Sequence, residues 1–186
     1  MLSFSHFEQT YQQLLCKQAV ENPIGTKRLF ELAKVYNPKD LPLSELPKEK
    51  AVLSIATFGK NEDFFTIKGV VEGILNNFCY GINAKYVPCT MKAMHPTRSA
   101  FITLDGEVVG YFGQVNPVIC EKLDIDKEVY AGEIYFDILK KHFNSKIMFK
   151  AISKFPSVER DLAISVNDEV PCDKIIDVIK SNAGGF

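Results

Sequence analysis

The segment MHPTRSAFITLDGEVVGYFGQVNP, Met94–Pro117, contains the strongest fold signal in the chain. At its centre, Asp105-Gly106 is typical of a two-residue β-hairpin loop, because both central residues of a type I′ turn need positive φ. Apolar and polar residues alternate over 100–104 before the turn, so that Ala100, Ile102 and Leu104 share one face. The segment therefore predicts two antiparallel strands joined by a tight turn.

Two glycines interrupt the returning strand of this hairpin. Gly110 and Gly113 either relieve the strand or allow another group to approach it closely. Asn116 and Pro117 follow, and they predict a short helix, with asparagine as the N-cap and proline at the first helical position.

The same segment contains side chains that could form a reaction centre. His95 and Ser99 suggest a base and a nucleophile, with Arg98 beside them. A catalytic triad also needs an acid that orients the histidine and an oxyanion pocket, and Ser99 stands on an alternating strand rather than at a nucleophile elbow. We therefore expect His95-Pro96 to turn the chain into the strand and Arg98 to pair with a carboxylate or a chain terminus. A hydrolase that uses His95 and Ser99 is kept as an alternative.

Hydrophobic periodicity predicts the elements on either side of the hairpin. They are a helix at 4–20, strands at 28–37 and 51–59, a helix at 62–78, a strand passing into a short helix at 128–139, a strand at 160–167 and a helix starting at Pro171. In the helix at 62–78, Asn61 or Asp63 is the expected N-cap. Gly69 and Gly73 are four residues apart on that helix, and we expect the helix to pack against the sheet rather than against another helix.

Composition favours an ordered globular chain. Of the 186 residues, 46% are hydrophobic, and the net charge of −1 gives no global positive field that would attract nucleic acid. A locally basic stretch at 140–154 is expected to be a solvated face. The five cysteines form no CxxC pair, which indicates free thiols in a reducing cytoplasm and predicts no metal site. We find neither a signal peptide nor a membrane-spanning stretch.

Four motifs carry a resemblance to a known family, and they occur in a fixed order. They are RLFELAKVY (28–36), EDFFTIKGVVEGIL (62–75), HPTRSAFITLDGEVVGYFGQVNPVICEKLDI (95–125) and KFPSVERDLAISVNDEVP (154–171). Together they resemble the C-terminal half of the bacterial phenylalanyl-tRNA synthetase β subunit, from about Thr26 to the last residue.

The resemblance implies an α+β fold in two parts. Residues 1–148 would form a catalytic-like core module, a class II aminoacyl-tRNA synthetase-like antiparallel sheet flanked by helices. Residues 149–186 would be a linker and the truncated start of a ferredoxin-like anticodon-binding domain, whose opening strand matches ERDLAISV. The residues that the resemblance marks are structural rather than catalytic: His95, Pro96, Arg98, Ser99, Gly106, Gly110, Gly113, Arg160 and Asp161.

The resemblance also implies partners and a reaction. The family enzyme is an (αβ)₂ heterotetramer in the cytoplasm that joins phenylalanine to its tRNA and uses ATP and Mg²⁺. We expect this chain to meet the α subunit and tRNA(Phe), to bind no cofactor or metal of its own and to contact no membrane.

Departures from the family pattern predict that this chain alone is inactive. Arg28 and Glu31 stand where the first phosphate-clamp motif would lie, but as R-x-x-E rather than R-x-E. No Gly-rich segment ending in arginine follows to complete the clamp. The chain also has GQVNP at 113–117 where the family usually has GELHP, and this exchanges a carboxylate and a histidine for amides.

A second hypothesis is an independent protein-binding module. The predicted strand at 160–167 has no following partner strand, and an open edge invites pairing with another chain. A homodimer of this chain is the corresponding expectation.

Overall fold

In the computed structural model, which describes residues 25–37, 45–144 and 159–183, the main element is an antiparallel sheet of six strands. The strands are β1 (Lys27–Asn37), β2 (Lys48–Phe58), β3 (Ala84–Pro88), β4 (Met94–Leu104), β5 (Glu107–Val115) and β6 (Val129–Tyr135). Their order in the sheet is β1-β2-β6-β5-β4-β3, so the last strand along the chain lies between two hairpins. The fold is α+β, as the sequence predicts.

Helices follow or connect these strands. They are α1 (Phe64–Phe78), α2 (Pro117–Lys122), α3 (Phe136–Leu139) with a 3₁₀ turn at Lys140–His142, and α4 (Cys172–Asn182). The helix predicted at 4–20 lies outside the described residues. The chain divides into two compact units, Met1–Met148 and Phe149–Phe186, and each is described by itself.

The predicted caps are present at the starts of α1 and α2. Of the two candidates, Asp63 is the N-cap of α1, and its Oδ1 accepts the N–H of Thr66 at 2.7 Å. The hydroxyl and the N–H of Thr66 both bond to this carboxylate and lower the pKa of Asp63. Asn116 accepts the N–H of Val118 at 3.0 Å, and Pro117 occupies the first turn of α2.

The hairpin predicted at Asp105-Gly106 joins β4 to β5. Both residues have positive φ, 48° for Asp105 and 86° for Gly106, as a type I′ turn requires. The prediction that Ala100, Ile102 and Leu104 share one face of β4 is confirmed, and the structure shows that this face is the buried one.

Helix α1 covers one face of the sheet. Its buried residues Ile67, Val71 and Leu75 join the largest core cluster together with residues of β4, β5 and β6. Gly69 and Gly73 are exposed, and a Cβ atom at either would meet nothing within 4 Å. The helix packs on the sheet as predicted, but through its aliphatic stripe rather than through the two glycines.

The opposite face of the sheet is covered at one end by α2. Here Cys120 and Ile125 pack with Phe58, Val115 and Val129 in a second cluster. The sheet is therefore buried on both faces around its central strands, which accounts for the nearly continuous burial of β5 and β6.

The prediction of a strand at 160–167 is wrong. The structure assigns no strand in the second unit within 159–183, and Leu162, Ile164 and Val166 are exposed there. Alternation alone does not stabilise a strand, which needs a hydrogen-bonded neighbour and a buried face. The helix predicted from Pro171 does form, as α4.

Leu104 provides a test of the core assignment, because its side chain is fully buried at the end of β4. We expect Leu104→Asp to lower the free energy of unfolding by about 3 kcal/mol or more, because an unpaired carboxylate would enter the core. Urea denaturation monitored by circular dichroism measures the change. Val108→Asp, at an exposed position of β5, is the matched control and should change stability by less than about 1 kcal/mol.

Candidate functional site

The candidate reaction centre at 95–99 lies in a wide bulge of the β4–β5 ladder. Met94 pairs with Val115 and Ser99 pairs with Gly113, so four residues of β4 stand opposite the single residue Gln114. Such a bulge bends the strand and redirects its side chains. The unusual residues of this segment are therefore collected where the ladder is interrupted.

Within the bulge, His95 caps its own turn. Its Nδ1 lies 3.2 Å from the backbone nitrogens of both Thr97 and Arg98 and accepts their N–H groups. The Ser99 hydroxyl donates to the His95 carbonyl oxygen at 2.6 Å. The ring nitrogen and the hydroxyl are therefore both engaged with backbone. The bond from serine to imidazole that a hydrolase needs is not among the bonds that Ser99 makes here.

Gly113 allows the bulge to lie against β5. Its φ is +150°, and a Cβ atom there would overlap the Arg98 carbonyl oxygen and lie 2.5 Å from Cα of Ser99. Gly110 has a similar role on the other side of β5, where a Cβ atom would overlap the Glu133 carbonyl oxygen. Of the two interpretations offered for these glycines, the structure supports close approach of a neighbouring group, and that group is backbone.

Arg98 connects the bulge to the start of β6. Its Nη1 donates to Gln114 Oε1 at 3.1 Å and lies 3.5 Å from Glu128 Oε1. The other oxygen of Glu128 accepts the Tyr130 hydroxyl at 2.8 Å. Burial, and then this hydrogen bond, raise the pKa of Tyr130 to about 12. The prediction that Arg98 pairs with a carboxylate is confirmed.

Arg28, the candidate phosphate-clamp residue, is bound to a buried carboxylate. Its Nη2 and Nε lie 2.9 and 3.1 Å from Glu62 Oε1. The side chain of Glu62 is only 2% exposed, whereas that of Arg28 is 61% exposed. Removing the arginine would leave a buried charge without its partner, which gives the pair a structural role.

Glu31 points away from Arg28, onto the opposite face of the sheet. In a strand, residues three apart lie on opposite faces and residues two apart share one, so an R-x-x-E pattern separates the two charges. The strand register places Glu31 opposite Ser54, and Ser54 opposite Glu133. Glu133 in turn pairs with Tyr111 on β5. We call Glu31, Ser54, Glu133 and Tyr111 the polar row.

The polar row is acidic and largely buried. Ser54, Glu133 and Tyr111 are each less than 9% exposed, and the Tyr111 phenol is hydrogen-bonded to Glu133. Burial raises the pKa of Tyr111 well above its usual value, and the nearby Glu133 raises it further. Burial and Glu133 also raise the pKa of Tyr135 to about 12. Two carboxylates on this face oppose the binding of a polyphosphate, which needs positive charge.

Sequence reasoning missed the pair formed by Tyr111 and Glu133. The feature that could have indicated it is the single glutamate inside the apolar strand VYAGEIY. A carboxylate that faces a sheet core needs a hydrogen-bond partner, so this glutamate predicts a polar side chain nearby. A tyrosine at the matching register of β5 supplies that partner.

His142 belongs to the basic stretch at 140–154 that was expected to be a solvated face, and for this residue the prediction is wrong. Its side chain is only 14% exposed, and its two ring nitrogens lie 3.6 Å from Asp105 Oδ2 and 3.4 Å from Glu107 Oε2. Lys141 Nζ lies 2.9 Å from the other oxygen of Glu107. The basic residues after α3 therefore secure the 3₁₀ turn to the hairpin loop, instead of forming a purely solvated face. His6 lies outside the described residues.

The remaining predicted motif residues lie in ordinary surroundings. Pro96 belongs to the bulge, Gly106 to the hairpin turn, and Arg160 and Asp161 to an exposed stretch where Arg160 bonds to the Glu159 carbonyl oxygen at 3.3 Å. No group of three or more His, Cys, Asp or Glu side chains within 25–37, 45–144 and 159–183 could hold a metal ion. In the same ranges no helix is long and apolar enough to cross a membrane.

One open groove, of about 610 Å³, lies between the 89–94 segment and α2. Its apolar lining includes Met91, Met94 and Ile119, and its charged lining consists of Lys92 and Lys122. Of the bulge only Pro96 lines this groove, and no residue of the polar row does. The groove therefore offers no convergent set of polar groups of the kind that fixes a small ligand.

The close contact at Gly113 can be tested by comparison with Gly69, which has free space around it. We expect Gly113→Ala to lower the free energy of unfolding by about 2 kcal/mol or more, because the new methyl group would meet backbone at an unfavourable φ. Gly69→Ala, on the exposed side of α1, should instead raise stability by about 0.5–1 kcal/mol. Denaturant titration of both variants measures the difference, and equal effects would contradict the close approach at Gly113.

The raised pKa values of Tyr130 and Tyr135 predict that the protein loses stability at alkaline pH. Their folded-state pKa values of about 12 for Tyr130 and Tyr135 exceed the unfolded value of about 10. The stabilisation by neutral phenols is therefore complete below pH 10 and is lost as the pH rises through about 12. Thermal unfolding at several pH values, with tyrosinate absorbance recorded in parallel, measures it. Tyr130→Phe should flatten this dependence, whereas Tyr36→Phe, at an exposed position, should leave it unchanged.

The fold and these contacts define an antiparallel α+β domain in which the candidate catalytic side chains make structural bonds. Comparison with known proteins agrees with the motifs. The family model of the phenylalanyl tRNA synthetase beta chain CLM domain matches residues 17–136. The chain belongs to the phenylalanyl-tRNA synthetase β-chain family.

Individual relatives carry the same name, phenylalanine–tRNA ligase beta subunit. The protein from Clostridium acetobutylicum is 33% identical over 162 residues, which cover 84% of this chain and 20% of that protein. The protein from Streptococcus mutans is 35% identical over 166 residues, covering 83% and 20% respectively. The chain therefore spans about a fifth of the length of these relatives.

Proposed function

We propose that this chain is a non-catalytic scaffold portion of the β subunit of phenylalanine–tRNA ligase, the enzyme that attaches phenylalanine to its tRNA with ATP. The observation that carries the proposal is the position of Arg28. Its guanidinium is held by the buried Glu62, on the face of β1 opposite to the polar row. A side chain in this position has its charge neutralised locally by a buried carboxylate, so it is engaged in holding the fold rather than a phosphate.

The polar row supports the same conclusion from the other face. A site that forms an adenylate gathers positive charge around the phosphates as charge develops there. Here four adjacent strands place Glu31, Ser54, Glu133 and Tyr111 in one row across that face. Because these groups are acidic or neutral, they favour a structural function of the sheet.

In this proposal the two units have different roles. The sheet of residues 1–148 is the class II synthetase-like core module, and ATP and Mg²⁺ are bound elsewhere in the holoenzyme. Residues 149–186, which include Arg160 and Asp161, are a linker and the start of a ferredoxin-like anticodon-binding domain. The partners are the α subunit and tRNA(Phe).

ATP–pyrophosphate exchange in the presence of phenylalanine tests the inactivity of the chain. We expect no exchange above background from the chain alone, and ordinary exchange from an intact α/β synthetase used as the positive control. Exchange that co-purifies with the chain and disappears in Arg28→Ala would refute the proposal, because it would make Arg28 a phosphate ligand.

Binding to the α subunit tests the scaffold role separately. We expect the chain to co-elute with an α subunit from a related bacterium on size-exclusion chromatography, and we expect Leu104→Asp, which disrupts the sheet, to abolish co-elution. A folded chain that fails to bind would contradict the scaffold role while leaving the assignment to the family intact.

A further inference from the structure

The groove between the 89–94 segment and α2 has two walls that one asparagine joins. The backbone N–H of Asn116 donates to the Ala93 carbonyl oxygen at 2.9 Å, and Asn116 Nδ2 donates to the Lys92 carbonyl oxygen at 3.0 Å. The remaining side-chain atom, Oδ1, accepts the N–H of Val118 at the start of α2. Because these bonds fix the walls relative to each other, the groove is preformed, as binding sites usually are.

Apolar side chains on both walls are accessible from the groove. Val118 is 55% exposed, and Met91 and Ile119 are half-buried. Pro96, from the bulge of β4, is exposed beside them. Methionine is flexible and polarisable, and it is common on surfaces that adapt to peptide partners. The lining therefore suits an apolar side chain of another polypeptide.

One lysine stands on each wall of the groove, Lys92 on the 89–94 segment and Lys122 in the last turn of α2. Both are exposed, and neither is paired with a carboxylate in the part of the chain that the structure describes. Other cations of this unit, such as Arg98 and Lys141, lie within 4 Å of a carboxylate. None of the described residues that line the groove is acidic. An apolar surface and two lysines are therefore presented together.

This combination favours a polypeptide over other classes of occupant. A small ligand would need a convergent set of polar groups, which this groove does not offer. Single-stranded nucleic acid binds through aromatic side chains that stack on the bases, and the described lining residues include no aromatic one. An acidic segment with an apolar side chain between its carboxylates complements both the lining and its charge.

We propose that the groove docks an acidic, apolar segment of the α subunit. The inference rests on the proposed function, which makes the α subunit the protein partner of this chain. An apolar side chain of the segment lies on Met91, Val118 and Ile119, and carboxylates on either side of it pair with Lys92 and Lys122. The apolar contact contributes most of the affinity, and the charge pairs set the orientation of the segment.

Charge reversal tests the two lysines. Binding of the full chain to immobilised α subunit is measured by biolayer interferometry. We expect the double variant Lys92→Glu, Lys122→Glu to raise the Kd by about tenfold or more, because it turns two attractions into repulsions. The double variant Lys48→Glu, Lys50→Glu changes the net charge equally at exposed lysines outside the groove, and it should change the Kd by less than about twofold.

A second pair of variants tests the apolar lining. Val118→Asp places a carboxylate among the apolar groups of the groove, where it would also repel the acidic segment, and we expect it to raise the Kd by about tenfold. Val108→Asp is the matched control, at an exposed position of β5 outside the groove, and should bind like the wild type. Circular dichroism and thermal unfolding confirm that all variants are folded.

Hydrogen exchange measured by mass spectrometry locates the contact without any substitution. In the presence of the α subunit we expect slower exchange in peptides that cover 89–96 and 116–122. Peptides that cover the hairpin loop at 105–107 should exchange at an unchanged rate, since this loop lies at the opposite end of the β4–β5 ladder from Met94 and Val115.

Three results would overturn the proposal while the wild type still binds the α subunit: an unchanged Kd in Lys92→Glu, Lys122→Glu, an equal loss in the control pair, or unchanged exchange at 89–96 and 116–122. Protection of these segments by tRNA(Phe) alone, or by raising the concentration of the chain alone, would assign the groove to RNA or to a second copy instead. A wild type that does not bind the α subunit would contradict the scaffold role itself, so the two failures are distinguishable.

Discussion

The central strands of this sheet can lie side by side only because glycine occupies the positions on β5 and β6 that have no room for a side chain. A Cβ atom at Gly110 would overlap the backbone of β6, and one at Gly113 would overlap the bulge of β4. On β6 itself, a Cβ atom at Gly132 would lie 2.8 Å from the Cβ of Phe112. Because all three positions lack a side chain, β6 can lie between β2 and β5, and this placement turns two separate hairpins into one sheet.

The charged groups are arranged around that sheet in pairs rather than in a site. Arg28 holds the buried Glu62, Arg98 links Gln114 to Glu128, and the basic residues after α3 hold the carboxylates that flank the hairpin turn. Each pair joins elements that are distant in the chain. The effect of these pairs is to connect loops to strands, which is a structural function.

Elements with a strong local signal could be predicted from the sequence, and those that need a partner could not. The turn at Asp105-Gly106, the caps Asp63 and Asn116 and the stripe of α1 each follow from a few neighbouring residues. Strand β3 was not predicted, because five residues with a half-exposed pattern carry little periodicity. The segment 160–167 shows the converse, since its clean alternation predicts a strand that the described chain does not form.

By itself, the sequence determined the fold class, the hairpin and the family, because turn chemistry, alternation and ordered motifs are all local properties of the chain. It also predicted that an R-x-x-E pattern would not form a phosphate clamp. Only the tertiary structure decided that Glu62 binds Arg28, that Tyr111 meets Glu133 and that His142 lies between Asp105 and Glu107. Those contacts depend on strand register and on which elements are adjacent in the folded chain. The register is set by free energies that are summed over the whole core.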